Sequence, residues 1–478
     1  MEHFPLLVEQ ATAAAGQHTV LSPFDRQPIA TVDTANSQHV EQALSNAYRL
    51  FRDRDSWLAI DQRIEILEKL AVLIDSHHEH LSLESAREGG KPLLDSRVEV
   101  SRGLDGVKLA IEALRKDGGS MPMVNGAAGS RHHLAFTTRE PIGVVVAVSA
   151  FNHPFNLIIH QVIPAVASGC PVIVKPAGDT PLSCMRIIQM LHQAGLPPAW
   201  AQAMVTAETS HATQLVTDSR VGFFSFIGSS KVGWMLKSKL AAGTRCALEH
   251  GGVAPVIVHE DADIEQTIQS LAKGGYYHAG QVCVSVQRVY AHKSVFQQLA
   301  KGLANAANAM KVGDPTSPTT EVGPLIRPAE LERIHSWVEE AVKGGAVLAA
   351  GGKAISETCY PPTLLLNPAE DAKVSTEEVF GPVVCLYEFD EMDQAINRAN
   401  SLPVAFQAAV FGKDMEKILR CYKRLDASAV MVNQHTAFRV DGMPFAGLRQ
   451  SGIGVGGIEH TIAEMQIEKM MVIRSEQL

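Results

Sequence analysis

Gly143-Val-Val-Val-Ala-Val-Ser149 is the stretch on which the fold turns. An uninterrupted apolar run of this kind reads as a strand covered on both faces, as in a parallel sheet. Working outward, residues 157–168 carry apolar side chains at helical spacing, and 171–174 is another short β-branched run. Next come a helix over 181–194 stopped at Gly195, a strand over 202–206, a helix over 210–217 and a strand over 222–227. A helix over 230–240 and a strand over 245–248 follow. Strands alternating with helices at this pitch are βαβ units, so the class is α/β with a parallel sheet.

Upstream, residues 37–115 read as helical. Val40, Ala43, Leu44, Ala47 and Leu50 recur on one face, as do Ile64, Leu67, Leu70, Ala71 and Ile74. Gly-Gly-Lys-Pro at 89–92 breaks the run, and a further helix is expected over 98–114. Downstream the alternation resumes as a second α/β unit. Strands are expected at 255–258 and 286–291 and helices at 264–274 and 295–310, with further elements at 327–343, 383–389, 392–400, 408–411 and 429–433. Residues 120–140 are Gly-rich and then alternate at His132, Leu134, Phe136 and Thr138, which reads as a hairpin leaving the body. The tail 465–474 is a candidate partner strand. Two protruding strands suggest sheet extension between subunits, with a surface hairpin as the alternative.

The chain has 478 residues, 46% of them hydrophobic, so two or three domains are expected. Charged residues make up 19% and the net charge is −9, which argues against disorder and against nucleic acid or an anionic membrane as partner. Seven cysteines form no CxxC pair, so neither a zinc site nor a redox motif is expected. No signal-peptide pattern opens the chain, and no apolar run reaches about 18 residues. The expectation is a soluble protein of the reducing cytoplasm.

Five places carry candidate chemistry. Cys283, in Gly280-Gln-Val-Cys283, follows a turn-like polar stretch. A lone cysteine is most often a small buried hydrophobe, but one on a loop between elements can face a cleft and act as nucleophile. Glu249 closes a predicted strand before two glycines. It is either a surface carboxylate at a turn or a general base at the carboxyl edge of the sheet. Asn152, in Phe151-Asn-His-Pro154, is a turn residue, a helix cap or an oxyanion donor. Gly228-Ser-Ser-Lys-Val-Gly233 lies between a strand and a helix, where it suits a dinucleotide pyrophosphate. Lys175, again directly after a strand, either is solvated or reaches the hydroxyls of an adenosine ribose.

Taken with Glu378-Val-Phe-Gly-Pro382 and Pro444-Phe-Ala-Gly447, this order of motifs resembles the aldehyde dehydrogenase superfamily from about residue 22 to residue 469. The separation of Glu249 and Cys283 fits its hydrolytic members. The resemblance implies a Rossmann-type cofactor domain (1–119 and 141–250), a catalytic domain (251–440) and a small β bridging element (120–140 and 441–478) used in homodimers or homotetramers. It implies Cys283 as nucleophile, Asn152 as oxyanion donor and Glu249 as the base that activates water. Cofactor contacts would come from Gly228, Ser229 and Gly233 at the pyrophosphate and Lys175 at the adenosine ribose, with Glu378 and Phe380 on the nicotinamide side. The cofactor would be NAD or NADP. Gly178 replaces a frequent acid and removes repulsion against a 2′-phosphate, whereas Asp179 favours NAD, towards which the reading leans.

Phe151-Asn-His-Pro-Phe-Asn-Leu-Ile-Ile-His160 and Phe438-Arg-Val-Asp-Gly-Met-Pro-Phe445 resemble the branch with phosphonoacetaldehyde and sulfolactaldehyde dehydrogenases. That implies a small aldehyde with an anionic end, held by Arg439, Arg102 and His153 or His160. Val282 stands where the phosphonoacetaldehyde type has Arg. Arg102 has a plain alternative, an ion pair on its own helix with Glu99 or Asp105. A CoA-acylating dehydrogenase is disfavoured by a base at Glu249, a non-catalytic scaffold by the retained trio, and a cysteine hydrolase by the nucleotide-type turns.

Overall fold

The computed structural model describes residues 1–478. Strand Val144–Val148 lies inside a six-stranded sheet, ordered Gly452–Ile453, Arg245–Glu249, Val221–Ile227, Val144–Val148, Val172–Lys175 and Ala201–Ala203. All but Gly452–Ile453 run parallel. The apolar run is explained by burial on both faces: Val144, Val145, Val146 and Ala147 are all 0% exposed. Alternate residues serve opposite cores. Val145 and Ala147 pack with the helices Asn156–Ser168 and Leu182–Gln193. Val144 and Val146 pack with Ser37–Arg52, Thr209–Thr217 and Ser230–Lys237. From Val144–Val148 the chain order runs one way to Val172–Lys175 and the other way to Val221–Ile227. A crevice therefore opens beyond the carboxyl ends of these strands, the usual ligand position in such sheets.

A second, seven-stranded sheet is ordered Val347–Ala350, Thr363–Leu366, Val383–Phe389, Arg288–His292, Pro255–Val258, Gln407–Phe411 and Ala429–Val432. Only its first pair is antiparallel. It has its own core, including the stacked rings of Tyr290 and Tyr387, whose centroids are 5.2 Å apart. No helix is long and apolar enough to cross a membrane.

Three features differ from the sequence expectations. The helix after Gly-Gly-Lys-Pro is Leu93–Lys116, starting directly behind Pro92 rather than at residue 98. The Leu93 N–H, an orphan of the first turn, donates to Pro315 O at 2.8 Å. Residues 120–140 form no hairpin of their own. His133–Pro141 pairs antiparallel with Gln466–Arg474 along its whole length, so the alternation marked a strand whose partner is remote. That ribbon leaves Met470, Met471 and Val472 about half exposed. An unexpected small sheet joins Glu2–Phe4, Pro28–Ala35 and Gly16–Leu21, with Val205–Thr206 pairing Pro28–Ala35.

Candidate active site

A cavity of about 570 Å³ occupies the crevice, and Asn152, Lys175, Ser229, Glu249, Cys283 and Glu378 all line it. The topology explains the convergence. Lys175 and Glu249 are the last residues of their strands, and Ser229 follows Val221–Ile227 as the N-cap of Ser230–Lys237. Asn152 lies in the turn between Val144–Val148 and Asn156–Ser168. Phe380 joins them, its ring edge-on to Phe151 at 5.7 Å.

The glycines at 228 and 233 shape the strand–helix turn. The Gly228 carbonyl accepts from His250 Nδ1 at 2.8 Å. A Cβ on Gly233 would sit 2.0 Å from the His250 ring, so only glycine lets this helix approach. Ser229 makes no capping bond with its own hydroxyl, leaving that group and the positive helix end facing the cavity. Glu378 Oε1 is buried without a partner, and burial pushes its carboxyl up to about 8. A Cβ on Gly251 would meet that carboxylate at 1.6 Å. Lys175 is held below the usual lysine range by burial. An unsatisfied carboxylate, a free hydroxyl at a helix start and a desolvated lysine along one cleft fit a dinucleotide.

Cys283 is half-buried on a loop built from strained backbone. His278, Ala279 and Gly280 have successive φ of 51°, 52° and 67°. At Gly280 a Cβ would lie 2.1 Å from the Gly381 carbonyl. The buried Gln281 side chain fastens the loop, donating to Pro324 O at 3.2 Å and accepting from Ile326 N–H at 3.0 Å. Asn152 is 4% exposed, and its Nδ2 donates one hydrogen to Gln281 O at 2.9 Å. The second amide hydrogen has no protein acceptor. Burial, then the Glu378 and Glu249 carboxylates, pushes the Cys283 thiol up to about 12. The Glu249 carboxylate makes no hydrogen bond within the protein, and burial raises it to about 7. Gly456 gives it room, since a Cβ there would meet Oε1 at 2.3 Å.

A smaller cavity of about 50 Å³ lies on the other side of Cys283. It shares His153, Leu157, Glu249, Cys283 and Phe445 with the large one. Arg102, His160 and Arg439 line the small cavity alone. These basic residues are not equivalent. Arg102 forms a bidentate pair with Asp441 at 3.0 and 2.9 Å, which corrects the expectation of Glu99 or Asp105. Glu99 is occupied elsewhere, bonding Lys91 Nζ at 2.5 Å and capping Phe155 and Asn156 N–H at 3.0 Å each. His160 Nε2 contacts Asp441 at 2.6 Å, and His153 Nδ1 contacts Lys91. Burial holds both imidazoles below the usual histidine range, with nearby cations adding to it. Arg439 has no acidic partner within ion-pair distance. Its guanidinium stacks on Phe445, 3.8 Å from the ring centre, and its Nη1 is buried without an acceptor.

Sequence reasoning missed Asp441 and Lys91. Asp441 is the one carboxylate in Phe438-Arg-Val-Asp-Gly-Met-Pro-Phe445, which is the signal that would have found it. Lys91 was read only as part of a helix break, yet it is 1% exposed beneath the Asn152 turn.

Residues 10–471 match the model of the aldehyde dehydrogenase family. The chain is 35% identical to a 3-sulfolactaldehyde dehydrogenase of Priestia aryabhattai over 455 residues, covering 95% of this chain and 94% of that one. Among solved structures, aldehyde dehydrogenase 21 of Physcomitrella patens with the reaction product succinate superposes with a TM-score of 0.94 at 30% identity, covering 99% and 98% of the two chains. A glyceraldehyde-3-phosphate dehydrogenase of Methanocaldococcus jannaschii complexed with NADP gives a TM-score of 0.91 at 31% identity, covering 96% and 99%. The match runs from the small N-terminal sheet to the C-terminal ribbon, across both large sheets and the crevice between them: the chain belongs to the aldehyde dehydrogenase family and is an NAD(P)-dependent oxidoreductase.

Proposed function

We propose that this enzyme oxidises a small aldehyde with an anionic far end to the carboxylic acid, through a thioester on Cys283. The observation that carries the anionic part is Arg439, a guanidinium without a carboxylate partner in the small cavity beside Cys283. The 3-sulfolactaldehyde named for the Priestia relative and the succinate in the Physcomitrella structure are both anions, which supports it. A cavity of about 50 Å³ holds only a few heavy atoms.

The Cys283 thiol gives up its proton to water, the thiolate Sγ adds to the aldehyde carbon, and the carbonyl π-pair moves onto oxygen. The free amide hydrogen of Asn152 donates to that oxyanion, its direction fixed by the bond to Gln281 O. A nicotinamide in the large cavity would supply the acceptor for the hydride that leaves as the oxyanion collapses to a thioester. Glu249 then takes a proton from water, the hydroxide attacks the thioester carbon, and the Cys283 thiolate departs. Lys175, Ser229 and Glu378, which line the large cavity, would hold the dinucleotide along it.

Arg439→Ala is expected to lower kcat/KM for an anionic aldehyde by about ten- to a hundredfold, the usual size for lost hydrogen bonds to a charged group. Propanal should change far less. Steady-state assays on both substrates decide it; equal slowing, or a wild type that prefers neutral aldehydes, removes the anionic reading.

Cofactor selectivity turns on Gly178. Nothing lies within 4 Å of a Cβ there, and its carbonyl accepts from His18 Nε2 at 2.9 Å. The neighbouring Asp179 faces Arg327 across the cavity at 3.4 Å. Gly178→Glu should therefore fit and weaken NADP selectively, because a carboxylate would oppose the 2′-phosphate. Calorimetric titration with both dinucleotides checks this; parallel loss of NAD and NADP would contradict it.

A further inference from the structure

We propose that Asp441 sets the charge class of the substrate: it neutralises Arg102, leaves Arg439 as the only cation of the small cavity without an ion-pair partner, and so selects a monoanionic over a dianionic far end. This rests on the anionic-aldehyde reading above.

Asp441 is 4% exposed and stands directly behind the cavity wall. Its carboxylate takes four hydrogen bonds. Arg102 Nε donates to Oδ2 at 3.0 Å and Arg102 Nη2 to Oδ1 at 2.9 Å. Oδ1 also meets His160 Nε2 at 2.6 Å and Asn156 Nδ2 at 3.1 Å. All three partner side chains line the cavity. One buried carboxylate thus orients three polar groups of the wall and cancels one of its two guanidinium charges.

The remaining groups leave this balance in place. His153 and His160 are kept neutral by burial. Lys91 and Glu99 close on each other as a buried pair. Tyr277 is pushed far above its ordinary value and stays protonated. Glu249 is the acid that acts most on Arg439 through space, without closing an ion pair on it; it lies with Cys283 among the residues shared with the cofactor cavity and is the same in every variant compared below. Together Arg102, Arg439 and Asp441 therefore offer one net positive charge to the substrate. A carboxylate or sulfonate matches it, whereas a phosphonate, which carries nearly two charges at pH 8, brings one charge without a partner.

The test uses three matched aldehydes at pH 8: 3-oxopropane-1-sulfonate, 3-oxopropylphosphonate and propanal. Wild type should favour the sulfonate over the phosphonate, and both over propanal, in kcat/KM. Asp441→Asn keeps the shape and removes the charge. It should move the sulfonate-to-phosphonate ratio towards the phosphonate by about tenfold, the size of one unit charge at this range in a semi-polar interior. Adding Arg102→Gln to Asp441→Asn restores the single net charge and should return the ratio towards wild type, which a merely structural role for Asp441 would not do. If Asp441→Asn does not fold, Arg102→Gln alone leaves no net charge and should bring both anions down towards propanal. An unmoved ratio in a folded Asp441→Asn, or unmoved ratios in Arg102→Gln, overturns the proposal while leaving the anionic reading standing. A wild type that prefers propanal defeats that reading itself.

Discussion

Cys283→Ala should produce no NADH from any aldehyde, whereas Glu249→Gln should still give a burst of about one NADH per site before turnover collapses. The two outcomes separate the half-reactions. Without the sulfur no thiohemiacetal forms, so hydride has no donor. Without the base the thioester forms but waits for water. The electrostatics favour a retained burst, because the Glu249 carboxylate is among the groups that raise the Cys283 thiol. Neutral Gln at 249 removes that penalty on the thiolate. The same residue sets a pH limb. Its carboxyl is raised to about 7, so as the proposed base it should be protonated and idle below that value and active above it. Wild-type turnover should rise through about pH 7, and the limb should vanish in Glu249→Gln. Stopped-flow absorbance reads burst and steady state together. Equal loss of both phases in Glu249→Gln would place the carboxylate in the first half-reaction instead.

Asn152→Ala should slow hydride transfer by about 10²–10³-fold, the usual cost of one oxyanion donor. The expectation depends on the 2.9 Å bond to Gln281 O, which fixes the amide's direction before substrate arrives. Asn152→Asp removes the donor with almost no change of shape and should be at least as damaging, since a carboxylate would face the developing negative charge. Single-turnover rates with both variants test this. A small effect of Asn152→Ala would remove the amide from the stabilisation of the oxyanion.

The parts of the fold that were readable are those where burial acts on consecutive residues. Pro255–Val258 is a strand with the expected bounds, and Val383–Phe389 is an element with the expected bounds, because central parallel strands are apolar on both faces. Gly16–Leu21, with Gly, Gln, His and Thr, was not readable, because that strand lies at the edge of its sheet and most of its residues meet solvent. Candidate residues at strand ends were legible for a related reason: topology alone delivers Lys175, Ser229 and Glu249 to one crevice. The charge pattern of the small cavity was not. Asp441 meets Arg102, Asn156 and His160 across separations of 339, 285 and 281 residues, and no local pattern encodes such a meeting. The guess that Arg102 pairs on its own helix failed because helical spacing proposes near neighbours, while burial rewarded the remote carboxylate.

The left-handed run at His278, Ala279 and Gly280 bears on how this enzyme can diversify. Its surroundings admit almost no added atom. A Cβ at Gly274 would meet His435 at 2.5 Å, one at Gly275 would meet Val384 at 2.5 Å, and Gly280 abuts the Gly381 carbonyl. Evolution therefore has little freedom in the backbone that presents the sulfur, and stepwise mutation there meets a steric barrier at nearly every position. Val282, Ala437 and Val284 lie on the wall of the small cavity and pack in a small apolar cluster with Phe406 and Phe445. New substrate ranges in this lineage should accumulate on that wall, around a nucleophile platform that stays fixed.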